Sequence, residues 1–400
     1  MSASLRAGWR DGLLAWSLCF APRLALFVAA WPTVRLDSSS VQFLNGTLIT
    51  DLSTPMWPPA YEAFAEVLWR LVGGNLFAFG VGHLAVHALV GVFVLSVCRS
   101  LQLSMRASWL AVLATALLPY YVSASITQVD IGVLVSVAAA FTAAMCRWRL
   151  SQPRPSHILS TGAMAMLLFL TRANALTMIV AVYAVVLYRP GHQQRRNVLA
   201  SAAVLLVLLC VWSTVTEIRF GAFTPFPANV GSNLWVGNHT GVEVTLASRS
   251  FNPTDVSGPQ PPSDPFYDAD AVATRAAKEF MWAHPGETVM NAVRKGRRYF
   301  DWRLDALNPH STLQEWAYSA PYLLMLVLGA VGARECWRTN RVAVAVISAV
   351  VFGYLAPHLV AYGMIRHRMS VEWAMLIMAA VGADVLARAA STTYSLRLDD

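Results

Sequence analysis

Residues 77–97 read FAFGVGHLAVHALVGVFVLSV, a stretch without a charged side chain. About 20 helical residues cross the hydrocarbon core of a bilayer, so this stretch predicts a membrane-spanning helix. The whole chain of 400 residues has a matching composition: 56% of its residues are hydrophobic, 13% are charged, and the mean hydropathy is +0.49. Average soluble domains carry about 25% charged residues. The sequence therefore predicts an all-α polytopic membrane protein.

Nine further stretches have a similar apolar character. The ten predicted spans are residues 12–31, 77–97, 107–122, 130–146, 157–171, 174–188, 198–217, 319–333, 342–361 and 370–387. The first follows Arg6 and Arg10, as the apolar run of a signal peptide would. It is long, contains Arg23 and lacks a small-residue cleavage site, so we expect an uncleaved anchor.

Arginines are distributed unevenly between alternate loops. One set of loops carries Arg99, Arg106, Arg147, Arg149, Arg154, Arg189, Arg195, Arg196, Arg334, Arg338 and Arg341. Both termini share this bias, whereas the alternate short loops carry few cations. Positive loops stay in the cytoplasm, which predicts cytoplasmic termini. Three parts follow: a transmembrane module at 1–217 with a first outer loop at 32–76, a large outer loop at 218–318, and C-terminal transmembrane helices at 319–400.

Two loop segments have helical periodicity. Residues 59–72 predict a short interfacial helix on the outer surface. Residues 287–302 predict a basic amphipathic helix, which we expect to contact anionic lipid headgroups. The apolar side of the second helix has Val289, Val293 and Phe300, and its basic side has Arg294, Lys295, Arg297 and Arg298.

The sequence argues against several classes of function. The net charge of +8 comes mainly from arginines that flank apolar segments, and no basic stripe indicates a nucleic-acid partner. The five cysteines lie in or beside apolar segments without a CxxC spacing, which argues against a zinc site or a disulfide framework. No glycine-rich nucleotide motif occurs in the sequence, so a nucleotide-sugar donor has no visible site.

Short polar patches follow one another along the chain. They are Arg23 with Asp37, Pro58-Pro59-Ala60-Tyr61, Thr127-Gln128-Val129-Asp130, Leu170-Thr171-Arg172-Ala173-Asn174-Ala175, Asn233-Leu234-Trp235-Val236-Gly237-Asn238, and Arg366-His367-Arg368. In this order the set resembles the polytopic GT-C glycosyltransferases, specifically the bacterial relatives of protein mannosyltransferases and the aminoarabinose transferase of lipid A. The resemblance implies transfer from a polyprenyl-phosphate-linked sugar at the periplasmic face of the inner membrane, with Asp37 as catalytic base.

Asp37 also suits that role on chemical grounds. An inverting transfer needs a carboxylate that takes the proton of the acceptor hydroxyl, which typically contributes about 10²–10⁴-fold to the rate. The alternative is an Asp that caps a loop turn together with Ser38. Relatives often have an acidic residue and a tyrosine where this chain has Ser38 and Val41, a departure that bears on the acceptor or on metal use.

The remaining candidates are substrate-binding residues. Asp130 could bind a sugar hydroxyl, orient Asp37, or hold a divalent cation with it; alternatively it only favours the helix N-terminus. Arg172, Arg366 and Arg368 could bind the lipid phosphate, or they could simply reach toward lipid headgroups. The predicted substrate-binding set is completed by Tyr61, His367 and Asn238.

Two alternatives from other classes stay open. A lipid or oligosaccharide flippase would also need buried and outer arginines, although the apolar inner halves of the spans argue against it. A non-catalytic membrane assembly partner would tolerate the loss of both Asp37 and Arg366. Under the transferase interpretation the acceptor is a lipid, a glycan or a protein, and the only cofactor considered is a divalent cation. His83 and His87 are interpreted as helix-packing residues, and Arg23 is expected to face a cavity or pair with an acid.

Overall fold

Helices dominate the structure. The computed structural model describes residues 3–31, 33–36, 41–50, 53–127, 129–148, 154–188, 192–239, 266–303, 311–361, 363 and 365–398. Within them the first half of the chain forms α1 Ala3–Ala30, β1 Val41–Leu44, β2 Thr47–Thr50, α2 Ala60–Leu71, α3 Leu76–Ser100, α4 Met105–Leu117, α5 Pro119–Ser125, α6 Val129–Arg147, α7 Pro155–Thr171 and α8 Ala175–Leu187. The second half forms α9 His192–Phe220, α10 Val230–Val236, α11 Phe266–Ala283, α12 Pro285–Tyr299, α13 Thr312–Thr339, α14 Arg341–Val360 and α15 Ile365–Leu398.

Seven helices in the described part of the chain are long and apolar enough to cross a membrane: α1, α3, α6, α9, α13, α14 and α15. Three further apolar helices, α4, α7 and α8, are shorter. The protein is therefore an all-α membrane protein with several apolar helices, as the composition predicts. Ten apolar helices occur where ten spans are predicted, but only seven of them have the length of a span.

The predicted single helix at 107–122 is wrong. Helix α4 ends at Leu117, Leu118 has the extended angles φ −59° and ψ 114°, and α5 begins at Pro119. Proline has no N–H to donate to the preceding turn, and it disfavours the helical conformation of the residue before it. The break therefore follows from Pro119.

The main core is centred on α15, which packs against α3, α4, α6, α13 and α14. Its contact with α13 is unusually close: a Cβ at Gly332 would lie 1.9 Å from the Met378 carbonyl oxygen, and one at Gly382 would lie 2.0 Å from that of Leu328. Small residues allow helix backbones to approach closely where lipid supplies no hydrophobic driving force. The two glycines therefore fix the packing of α13 on α15.

A second apolar cluster joins the first loop to the bundle. The hairpin β1–β2 turns at Asn45 and Gly46, both with positive φ, as a tight two-residue turn requires. Leu36 and Val41 are buried in this cluster together with Tyr61 of α2. The helix predicted at 59–72 is confirmed as α2.

Helix α12 departs from its predicted orientation. The helix itself is confirmed, but Lys295 and Arg298 are buried. The expectation that the basic side contacts anionic lipid is therefore wrong for these two cations. The Lys295 ammonium instead donates hydrogen bonds to the Val360 carbonyl oxygen at 3.0 Å and to Asn238 Oδ1 at 3.4 Å, because α12 packs against the end of α14.

Candidate functional site

A cavity of about 360 Å³ lies where five parts of the chain meet. It is bounded by the start of α2, the first turn of α6, the corner between α7 and α8, helix α10, and the turn between α14 and α15. Ligand pockets typically have volumes of about 300–1,000 Å³ and a few convergent polar groups in an apolar wall. Four of the predicted site residues line this cavity, namely Tyr61, Asp130, Arg172 and His367.

Asp130 and Arg172 form an ion pair in the cavity wall. Arg172 Nε donates to Asp130 Oδ2 at 3.0 Å, and Arg172 Nη2 donates to the same oxygen. The side chains are 24% and 13% exposed for Arg172 and Asp130, so the pair is partly desolvated. Asp130 lies in the first turn of α6, where the helix dipole favours a carboxylate. The pair holds the guanidinium at the cavity surface, with both hydrogen bonds on one carboxylate oxygen.

Tyr61 contributes a phenol hydroxyl that has no hydrogen-bond partner among the described residues. The side chain is 1% exposed, and its ring packs edge-on against His83, with centroids 6.3 Å apart. Burial, with a smaller effect of the Asp130 carboxylate, raises the pKa of Tyr61 well above its ordinary value. The hydroxyl therefore stays protonated and can donate a hydrogen bond to a ligand.

His367 and His358 form a stacked pair at the other side of the cavity. Their ring centroids lie 4.3 Å apart with an interplanar angle of 18°, and both residues are buried. The sequence reasoning did not identify His358. The sequence feature that could have indicated His358 is its position late in an apolar span. Polar side chains within spans usually face a cavity or a partner.

Arg368 does not reach the cavity. Its guanidinium is fully buried and donates to Glu372 Oε1 and to the carbonyl oxygens of Tyr299 and Asp301, each at 2.9 Å. It also donates to the hydroxyl of Tyr318. These contacts make Arg368 a bridge between α15 and the segment that follows α12. Glu372 was not predicted, although an Arg and a Glu four residues apart in an apolar helix are a recognisable signal.

Asn238 is also directed away from the cavity. Its Nδ2 donates to the carbonyl oxygens of Leu234 and Val360 at 2.8 and 2.7 Å, and its Oδ1 accepts from Lys295. Burial lowers the pKa of Lys295 to about 7. Asn238 and Lys295 thus fasten α10 and α12 to the end of α14, behind the cavity wall.

Two predicted site residues fall on parts of the chain that the structure does not describe. Asp37 lies outside the described residues, and so does the side chain of Arg366. Their described neighbours are Leu36, Val41 and His367. Leu36 and Val41 belong to the same apolar cluster as Tyr61, and His367 lines the cavity.

Three polar residues within the predicted spans, Arg23, His83 and His87, were also the subject of predictions. Arg23 is fully buried, and no acid among the described residues lies within salt-bridge distance of it, so its expected place at a cavity or beside an acid stays a prediction. It donates to the carbonyl oxygens of Cys19 at 2.7 Å and Thr115 at 3.0 Å, and it lies over the Tyr121 ring. His83 and His87 are buried between helices, as the packing interpretation predicts.

Metal binding by Asp130 faces competition from Arg172, which occupies Oδ2. In the part of the chain that the structure describes, no group of three or more His, Cys, Asp and Glu side chains is arranged to hold a metal ion. A divalent cation shared by Asp37 and Asp130 stays a prediction, since Asp37 is outside that part.

The chain was compared with known proteins. No protein-family model matches it, and no curated protein matches it. The resemblance to GT-C glycosyltransferases therefore rests on the polar patches and their order.

Proposed function

We propose that the chain is an inverting glycosyltransferase of the GT-C type, which moves a sugar from a polyprenyl phosphate to a lipid, glycan or protein acceptor at the periplasmic face of the inner membrane. The observation that carries this proposal is the cavity. It is lined by Tyr61, Asp130, Arg172 and His367, which belong to four patches far apart in the sequence.

Asp37 is proposed as the catalytic base. It takes the proton of the acceptor hydroxyl while that oxygen bonds to the anomeric carbon. The bond from this carbon to the phosphate oxygen breaks, and its electron pair stays on the phosphate. Support comes from the preceding residue, Leu36, because Leu36 is packed in the cluster that also holds Tyr61.

Arg172 is proposed to stabilise the departing phosphate. A guanidinium fixed before the reaction stabilises developing negative charge without reorganising. Asp130 acts as a positioning residue, because its carboxylate aims the guanidinium. Arg366 would add a second positive charge, whereas the contacts of Arg368 support a structural role for that residue.

The proposal includes a topology of ten spans, cytoplasmic termini, and outer loops at 32–76 and 218–318. The three shorter helices would be spans that lie within the bundle. In support, each packs against a longer candidate span: α4 against α15, α7 against α9, and α8 against α14.

The decisive experiment is the substitution Asp37→Asn in the full chain, reconstituted with radiolabelled polyprenyl-phosphate sugars and host membranes as acceptor. Loss of the base should lower the rate of transfer by about 10²–10⁴-fold. The matched control is Glu66→Gln, because Glu66 pairs with Arg70, whose side chain is 77% exposed. This control should retain the wild-type rate.

Full transfer by a well-expressed Asp37→Asn protein would refute the proposed base. Movement of the labelled lipid across the membrane without a new glycosidic product would favour a flippase. If neither product nor movement depends on the chain, a non-catalytic assembly role would replace the transferase.

A further inference from the structure

The two consecutive helices α11 and α12 present opposite kinds of surface. Helix α11 is an ordinary amphipathic helix. It buries Ala273, Ala277 and Phe280, and it exposes Arg275, Lys278 and Glu279. These charged side chains are suited to water. The helix therefore serves as an internal reference for the next one.

Helix α12 has the reverse arrangement. Its buried residues include Asn291, Lys295 and Arg298. Val289, Met290 and Val293 are exposed by 63%, 51% and 59%. They lie one turn apart on one face, since residues three and four apart are neighbours on a helix. We call these three residues the apolar face of α12. A helix that buries cations and exposes aliphatic side chains is not suited to water on its outward side.

The position of α12 indicates what this face meets. Lys295 Nζ donates to the carbonyl oxygen of Val360, the last residue of α14. Helix α14 has 20 residues. At 1.5 Å per residue it is about 30 Å long, which is the thickness of the hydrocarbon core. An element fastened to its last residue therefore lies at the boundary between hydrocarbon and headgroups.

We propose that the apolar face of α12 inserts into the lipid layer at this boundary and contacts acyl chains. Trp282, which is 85% exposed at the end of α11, would lie among the headgroups, where tryptophan is enriched. Arg297 is exposed near the end of α12, and its long side chain can reach the headgroups. Insertion is driven by apolar area, so it does not require anionic lipid. This inference does not depend on the transferase activity.

The test measures depth in the bilayer with a nitroxide label. The full chain carries Cys210→Ser, which removes the one exposed cysteine among the five. Val293→Cys or Met290→Cys then receives the label, and Lys278→Cys on α11 is the matched control. The proteins are reconstituted in nanodiscs of neutral phosphatidylcholine. Collision rates are measured with oxygen, which concentrates in hydrocarbon, and with a water-soluble nickel chelate.

We expect labels at 293 and 290 to collide more with oxygen than with nickel, and the label at 278 to show the opposite preference. The oxygen-to-nickel ratio should be several-fold higher on α12 than on α11. Adding anionic lipid should leave the ratio unchanged. A ratio at 293 equal to that at 278 would overturn the proposal. Protection of 293 from both reagents would also overturn it, because a protein surface would then cover the face.

Discussion

Tyr61 keeps a buried hydroxyl without a described partner, although a phenylalanine would fill the same space. Burying such a group costs free energy, which a partner repays only when it is present. Tyr61 lines a cavity that also contains the Asp130–Arg172 pair. A ligand that accepts a hydrogen bond from Tyr61 is the simplest reason for its presence.

The substitution Tyr61→Phe should therefore separate stability from function. We expect an unchanged or higher melting temperature, since no described hydrogen bond is lost, together with weaker transfer. The control is Tyr183→Phe, which breaks a buried hydrogen bond of 3.0 Å with Ser201 Oγ in α9. That change should destabilise the protein by about 0.5–1.5 kcal/mol and leave transfer intact. Loss of stability without loss of transfer in Tyr61→Phe would contradict the assignment.

The patch Arg366-His367-Arg368 shows what could not be predicted from the sequence. From the sequence alone, Arg366, His367 and Arg368 are equally suitable as ligand-binding residues. Successive residues of a helix point about 100° apart, however, because 3.6 residues make one turn. His367 lines the cavity while Arg368 enters the core. Which of them faces a ligand depends on the rotation of α15, and that rotation is set by distant partners such as Tyr318.

At the scale of elements, Gly237 controls how closely α10 approaches α14. A Cβ there would lie 1.6 Å from the Ala361 carbonyl oxygen and 2.9 Å from Lys295 Nζ. Gly237→Ala should therefore push α10 away and destabilise the protein by about 1–3 kcal/mol. Gly286→Ala in α12 is the control, because no atom lies within 4 Å of its Cβ position. Equal melting temperatures for the two variants would contradict the tight contact.

Lys295 makes the stability of the junction between α10, α12 and α14 dependent on pH. Burial lowers its pKa in the folded protein from 10.5 to about 7. Between these values the unfolded chain holds a proton that the folded chain has released, so the free energy of unfolding rises with pH. Below about pH 7 both states are protonated and the full burial cost is present. Thermal unfolding from pH 6.5 to 10 should show this rise, relative to Lys295→Met.

A control with Lys278→Met distinguishes the buried lysine from exposed ones. It should leave the pH dependence of the wild-type protein intact. If Lys295→Met retains the same slope as the wild type, the junction does not titrate through Lys295.

Element positions were largely predictable, because apolar runs of suitable length specify helices in lipid. Apolar helices occur at the predicted stretches, although the one at 107–122 is broken before Pro119, and α2 and α12 occur as well. The orientation of α12 was not predictable from its amphipathic pattern. Periodicity identifies the two faces of the helix, and the sequence alone predicts the charged face outward, at the lipid headgroups. Here Lys295 finds acceptors in the protein and Arg298 is buried beside it, so the faces are exchanged.

At the scale of the whole molecule, the number of spans has a simple consequence of parity. Ten spans return the C-terminus to the side of the N-terminus, whereas seven spans leave the termini on opposite sides. We expect both termini in the cytoplasm. A C-terminal green fluorescent protein fusion should fluoresce, and a C-terminal alkaline phosphatase fusion should be inactive. The opposite pair of results would support seven spans and refute the ten-span topology.

The cavity as a whole could be predicted only in part. Its members were recognisable as polar patches, but their meeting depends on long-range packing between α2, α6, α10 and the α14–α15 turn. Asn233 lay within a predicted patch, whereas His358 lay outside every one. A sequence pattern identifies polar residues within apolar segments, and only the fold brings those residues together in one cavity.

The close contact of α13 with α15 has a consequence for biogenesis. Gly332 and Gly382 allow the two backbones to touch, and α15 also packs against α3, α4 and α6, which are made much earlier. During synthesis those early helices enter the membrane with a vacant groove, which lipid must fill until α15 is inserted. We therefore expect a chain ending at residue 360 to be an assembly intermediate, which α15 completes by displacing lipid from that groove.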